Sequence, residues 1–315
     1  MSLTVFIDGK EGTTGLRIFE RLAARPDLEV LTLPEASRKD PAARKDAIHA
    51  ADIAVLCLPD AAAKESVALA EGSKARILDT STAHRVQEGW VYGFAELSAN
   101  HRKAIMEGNR VAVPGCHASG FISLVTPLTM AGLLPKDAAL SCFSLTGYSG
   151  GGKKMIAQYE GPEADEALKS PRQYGLTQAH KHIPEMTRVP GLNIAPLFAP
   201  IVADFYSGME VTVPLHASQL SCDHPLKSVL ACLKDHYAGS PVVKVLGPDE
   251  VADMGGFIPA NALSGKDGMQ LMVLGSDERI QLVSLFDNLG KGSSGAALQC
   301  LNLMTGVDET TGLTL

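Results

Sequence analysis

Residues 52–59, Asp52-Ile53-Ala54-Val55-Leu56-Cys57-Leu58-Pro59, form an apolar run without polar alternation. A strand with one wet face alternates. A continuously apolar one is buried on both faces, as in a parallel sheet held between helices. Similar short runs occur at 3–7, 28–33, 75–78 and 110–113, with helical patterns at 14–24 and at 60–71, the latter opened by Asp60 as its cap. Strand alternating with helix over the first ~115 residues predicts an α/β, doubly wound parallel sheet.

The pattern changes after Cys116. Strand-like segments follow one another at 139–146, 193–202, 208–216, 242–246, 269–274 and 280–285, with one clear helix at 226–237 and a last helical segment at 293–304. That succession predicts a second, α+β domain with a mostly antiparallel sheet. A chain of 315 residues that is 45% hydrophobic can bury two such cores.

Composition removes several function classes. A net charge of −7 with 5% aromatic residues gives neither the basic stripe nor the stacking platform of a nucleic-acid binder. No basic segment precedes an apolar run at the start, and no apolar run approaches the roughly 18 residues of a membrane span. The six cysteines are scattered without a CxxC pair, which fits reduced thiols in a cytoplasm.

Gly9-Lys10-Glu11-Gly12-Thr13-Thr14-Gly15 follows the first strand and opens the first helix. Glycines there let the backbone approach a pyrophosphate seated on the helix N-terminus, the arrangement of a Rossmann-type dinucleotide site. The GxxGxxG spacing differs from the common GxGxxG. At the end of the second strand, Ser37 and Arg38 offer a cradle for the 2′-phosphate of NADP, whereas Glu35 offers a ribose partner. The reading leans to NADP.

Val113-Pro114-Gly115-Cys116 places a thiol at the end of a strand, with an apolar helix expected from about Ala118. A helix N-terminus stabilises a thiolate, and the carboxyl ends of parallel strands are where such sheets bind ligands. None of the other five cysteines has this setting. Cys116 is therefore the candidate nucleophile, suited to acyl transfer. His180 and His182, in Gln178-Ala179-His180-Lys181-His182, would share a face if extended, and either would serve as acid/base. His117 is a second choice, expected to point elsewhere. No third ligand lies nearby in sequence, so no metal site is expected. Ser149 and Lys154, in the glycine cluster 147–154, are candidate anion binders, as are Ser81 and Arg85 in Asp79-Thr80-Ser81-Thr82-Ala83-His84-Arg85.

Three segments, Val113-Pro114-Gly115-Cys116, His180-Lys181-His182-Ile183-Pro184-Glu185 and Asp287-Asn288-Leu289-Gly290-Lys291-Gly292, carry a resemblance. The chain resembles the N-acetyl-γ-glutamyl-phosphate reductases, in their shorter form, within the aspartate-semialdehyde dehydrogenase-like group. The resemblance implies an NADP-binding Rossmann domain over 1–115, a catalytic and oligomerisation domain over 116–287 and a returning C-terminal helix within 288–315. It implies Cys116 as nucleophile, His180 as acid/base, His182 near the substrate, Gly9, Gly12, Thr13, Thr14 and Gly15 at the pyrophosphate, and Asn288 beside the nicotinamide. It further implies a small acyl-phosphate substrate and a homo-oligomer, dimer or tetramer. The family usually has an aromatic residue where this chain has His117, and Thr where it has Ser119. Two alternatives stand beside it: another acyl-phosphate reductase, such as an aspartate-semialdehyde dehydrogenase, and a non-catalytic NADP-binding regulator. Retention of both Cys116 and His180 argues against the regulator.

Overall fold

The computed structural model describes residues 2–162 and 165–315, the side chain of Thr13 excepted. Two units result: Met1–Pro114 with Ser293–Leu313, and Gly115–Gly292 with Thr314–Leu315.

The first unit runs β1 (Leu3–Asp8), α1 (Thr13–Ala23), β2 (Leu28–Leu31), α2 (Pro41–Ala50), β3 (Ile53–Leu56), α3 (Asp60–Leu69), β4 (Arg76–Asp79), β5 (Val91–Tyr92), α4 (Ala99–Glu107) and β6 (Arg110–Ala112). Its sheet is parallel throughout, in the order β2-β1-β3-β4-β6-β5. The unbroken apolar strands explain the layering. Val5, Ile7, Ile53 and Val55 face a core shared with Ile18 and Leu22 of α1, whereas Phe6, Ala54 and Leu56 face Ala47 and Ile48 of α2. Successive side chains thus serve opposite layers.

The second unit runs α5 (Cys116–Met130), β7 (Ser141–Gly147), α6 (Gly152–Glu160), β8 (Arg172–Gln173), α7 (Ile183–Arg188), β9 (Leu197–Ala203), β10 (Met209–His216), α8 (Pro225–His236), β11 (Val243–Val245), α9 (Pro248–Ala252), β12 (Met269–Gly275) and β13 (Arg279–Phe286). The seven strands lie in the order β11-β12-β13-β10-β7-β9-β8. Pairing is antiparallel except for β11 with β12 and β7 with β9. The final helix, α10 (Gly295–Thr305), packs Ala296, Ala297, Leu298 and Leu301 into the core of the first unit.

Several expectations from sequence need correction. Asp60 is the first helical residue of α3 rather than its cap. Pro59 holds the cap position, and the Asp60 carboxylate accepts from Thr82 N and Oγ1 at 3.0 and 2.5 Å. Helix α5 begins at Cys116 itself, with Gly115 as N-cap. Helices α2, α4, α6 and α7 carry too little apolar periodicity to stand out. Of the nine residues of α6, for instance, none is buried.

Candidate active site

Cys116 is the first residue of α5. The opening N–H groups of a helix have no intrahelical acceptor and carry the positive end of its dipole, so a negative sulfur or oxygen is stabilised there. Helix α5 is mostly apolar, with residues 117–128 buried, which fixes its position. Its start is tied down by Glu185 of α7, whose 1%-exposed carboxylate accepts from Gly115 N at 2.9 Å. Gly292 closes the other side: a Cβ there would stand 2.9 Å from Cys116 Cβ. Only a glycine lets the backbone pass so near the thiol. Burial pushes Cys57 up to about 12 and also raises Cys142 and Cys232. These thiols are poor nucleophiles at neutral pH.

The histidines converge, but not as an extended strand would bring them together. Residues 181–182 form a turn into α7, and His182 N donates to His180 Nδ1 at 3.2 Å. The rings of His180 and His182 lie 4.8 Å apart at 86°. Because Nδ1 accepts, a neutral His180 carries its proton on Nε2. It is set as a donor there, without a lone pair for a thiol proton. Burial, helped by Lys181, pushes its pKa down to about 4.

His117 does not point elsewhere, contrary to the sequence reading. It is 3% exposed, and its ring centroid lies 5.5 Å from both His180 and His182. Its Nδ1 meets Ser144 Oγ and its Nε2 meets Tyr174 Oη, each at 2.6 Å. Tyr174 and Ser144 had no sequence signal, since neither sits in a motif. The three histidines do not make a metal centre: among the described residues, no group of three or more His, Cys, Asp or Glu side chains has the geometry to hold an ion.

Asn288 and Ser149 are also brought together. The Asn288 carboxamide donates from Nδ2 to Ser149 Oγ at 3.0 Å and accepts from Gly208 N at 2.9 Å, with both side chains 2% exposed. Its neighbour Asp287 accepts from Leu289 N and Gly265 N. The segment 287–292 is thereby a rigid brace. Lys154 lies exposed on α6, apart from these buried contacts.

In the first unit, a cavity of about 370 Å³ is lined by Gly9, Lys10 and Glu11 after β1, by Thr32, Leu33, Arg38 and Lys39 after β2, and by Leu58 and Pro59 after β3. Gly9 has φ +90°, and a Cβ on it would meet Cys57 O at 2.6 Å, so no other residue fits. Gly12 is the N-cap of α1 without a side-chain cap. Arg38 pairs with Glu35 at 2.6 Å while its Nε is buried without a partner. Open helix amides, a glycine cradle and an unfilled cationic donor fit a dinucleotide. Ser37 lies beside this cavity, its hydroxyl donating to Pro34 O at 3.4 Å. Thr14 Oγ1 meets Ser293 Oγ at 3.1 Å, and the side chain of Thr13 lies outside the described residues. Ser81 is directed inward, donating to Asp79 Oδ2 at 2.7 Å, and Arg85 donates to Thr80 O at 3.1 Å. Both belong to a loop braced by the buried Asp79–His84 pair at 2.6 Å and by His84 stacked on Trp90.

The chain is similar to known proteins over nearly its whole length. Residues 4–105 match the semialdehyde dehydrogenase NAD-binding domain and residues 116–288 the semialdehyde dehydrogenase dimerisation domain. The N-acetyl-gamma-glutamyl-phosphate reductase of Brucella ovis is 49% identical over 310 residues, covering 97% of this chain and 100% of that protein. That of Brucella anthropi is 50% identical, covering 97% and 99%. Among solved structures, aspartate semialdehyde dehydrogenase II of Vibrio cholerae complexed with ASA has a TM-score of 0.71 at 15% identity, covering 97% of this chain and 99% of that one. The Candida albicans aspartate semialdehyde dehydrogenase with NADP has a TM-score of 0.70 at 14% identity, covering 97% and 99%. At such identities these structures share the fold. No helix among the described residues is long and apolar enough to cross a membrane.

Proposed function

We propose, because this chain belongs to the semialdehyde dehydrogenase family and within it to the N-acetyl-γ-glutamyl-phosphate reductases, that it reduces N-acetyl-γ-glutamyl phosphate to N-acetylglutamate semialdehyde, a step of arginine biosynthesis in the cytoplasm. The observation that carries the reading is Cys116 at the first position of α5, next to His117 of a histidine cluster that includes a donor-set His180. The Cys116 thiolate attacks the acyl carbon and phosphate leaves, giving a thioester. A nicotinamide dinucleotide held at the Gly9–Gly15 turn and the cavity lined by Arg38 would supply the hydride that reduces the thioester carbon. His180 Nε2–H hydrogen-bonds to the alkoxide oxygen of the resulting tetrahedral adduct without giving up its proton, and the adduct collapses with breakage of the C–S bond, releasing the aldehyde and restoring the Cys116 thiolate. His182 lies on the substrate side, and the brace of Ser149 and Asn288 keeps the wall of this site fixed.

The dinucleotide is NADP in this reading. The buried Arg38 Nε and the adjacent Lys39 support a 2′-phosphate at the 370 Å³ cavity. Units 1–115 and 116–287 are then the cofactor and catalytic domains, and the second also joins subunits.

The test is phosphate-dependent reduction of NADP by N-acetylglutamate semialdehyde. Cys116→Ala abolishes it while NADPH still binds; wild-type turnover in that variant overturns the reading. A panel including aspartate semialdehyde separates the two substrate classes. Arg38→Ala raises the KM for NADPH about tenfold and leaves that for NADH unchanged. Equal loss for both cofactors contradicts the phosphate assignment.

A further inference from the structure

Both ring nitrogens of His117 are engaged, yet the ring has one proton to share between them. Burial, with His180 and Lys181 nearby, pushes its pKa down to about 3, so the imidazole is neutral at physiological pH. One of its two 2.6 Å bonds is donated and the other accepted.

Ser144 decides which. Its hydroxyl is 0% exposed, and His117 Nδ1 is its one hydrogen-bond partner among the described residues. If Ser144 accepted from Nδ1–H, its own proton would be buried without an acceptor, which is unfavourable. If Ser144 donates, nothing is stranded. Nδ1 then accepts, Nε2 carries the proton, and Tyr174 Oη receives it. The phenol's own O–H turns away from His117 and has no other protein acceptor among the described residues. The Tyr174 ring centroid is 5.9 Å from that of His180, and His117 is next to Cys116 in the chain. Burial and the nearby Cys116 both raise the phenol pKa, so its proton stays on.

We propose that His117 is a positioning residue of the Cys116 site: anchored by Ser144, it fixes Tyr174 so that the phenolic O–H, and not a lone pair, is presented to the anionic oxygen of the acyl group on Cys116. The proposal rests on the acyl-thioester reading above. The direction of the hydrogen-bond chain matters because an oxyanion is stabilised by a donor and repelled by a lone pair. Reversed, the same three side chains at the same distances would oppose the reaction.

The experiment has a spectroscopic arm and a kinetic arm, both on the full-length protein. Nitrogen-15 NMR of histidine-labelled protein reads the tautomer without substrate. The expected result is the His117 proton on Nε2 and an unprotonated, hydrogen-bonded Nδ1; Ser144→Ala relaxes that preference. Kinetically, Tyr174→Phe lowers kcat about 10²-fold with KM nearly unchanged. His117→Phe lowers kcat about tenfold, but changes it less than about twofold in the Tyr174→Phe background, because it acts through that hydroxyl. If either aromatic variant fails to fold, Ser144→Ala carries the kinetic arm with a kcat loss at wild-type KM. A proton on Nδ1, multiplicative effects in the double variant, or wild-type kcat in Tyr174→Phe each overturns the proposal. Failure of the parent reading is distinguishable: Cys116→Ala would then keep turnover, while the nitrogen spectrum would still decide the hydrogen-bond chain.

Discussion

Two histidines held neutral, His117 buried and His180 half-buried, give this protein an acid liability. The folded pKa values of His180 and His117 are about 4 and about 3, both below the ordinary 6.5. An unfolded chain takes up protons at these positions as pH falls below about 6.5, whereas the folded chain resists. Their stabilising contribution is therefore complete above about 6.5 and is lost as the pH falls towards about 4 and then about 3. His117→Phe removes one of the two groups. Its urea midpoint should fall less between neutral pH and about pH 4 than that of the parent chain; equal falls would show that His117 contributes nothing to the acid sensitivity. Sequence could rank Cys116 above the other thiols by its place after Pro114-Gly115. It could not place His117, because adjacency in a chain says nothing about side-chain direction until the helix start is known. The expected start at about Ala118 was two residues late, and those two residues set where His117 points.

At the scale of elements, the setting of Cys116 depends on how α5 begins. Its cap position is a glycine with no side-chain cap, and the Gly115 N–H is satisfied from α7 by Glu185. Glu185→Leu keeps the size and removes the acceptor. It should destabilise the fold by about 2–3 kcal/mol, leaving a buried N–H unpaired, and lower kcat while cofactor affinity stays constant. Denaturant titration and NADPH binding check the two halves; unchanged stability would show that the 2.9 Å contact contributes little. Glu185 was visible in the sequence only as part of the segment that carried the family resemblance. Its physical role needs the long-range pairing of residues 115 and 185. The strands were legible because apolar runs of four to six residues have few other uses. The amphipathic helices α2 and α4 were not, because their polar faces dilute the period.

At the scale of the molecule, one sheet surface remains to be covered. Along β7 and β9, Phe143 and Leu197 are 50% and 66% exposed, and Phe143 pairs with Ala199 while Leu145 pairs with Ile201 on the same face. The opposite face carries the buried Cys142, Ser144 and Phe198. Exposed apolar side chains side by side on a strand pair mark an association surface. It lies in the segment that matches the dimerisation domain. The double variant Phe143→Asp with Leu197→Asp should therefore shift the mass measured by light scattering from an oligomer to a monomer. An unchanged mass would place the interface elsewhere.

By itself the sequence determined the α/β class, the glycine turn after the first strand and the place of Cys116 at the end of a strand, since each follows from local chemistry: apolar runs without alternation, glycines between strand and helix, and a cysteine after Pro114-Gly115. Tertiary structure alone decided how Cys116 is surrounded. Ser144, Tyr174, Glu185 and Gly292 come from four separated stretches of chain, and each acts through a contact between 2.6 and 2.9 Å or, for Gly292, through the absence of a Cβ that would lie 2.9 Å from Cys116. Such contacts depend on how elements pack, which no local pattern encodes. The hydrogen-bond partners of His117 and His180 are the finest case, because Ser144, Tyr174 and the backbone N–H of His182 reach those rings only through packing and a turn.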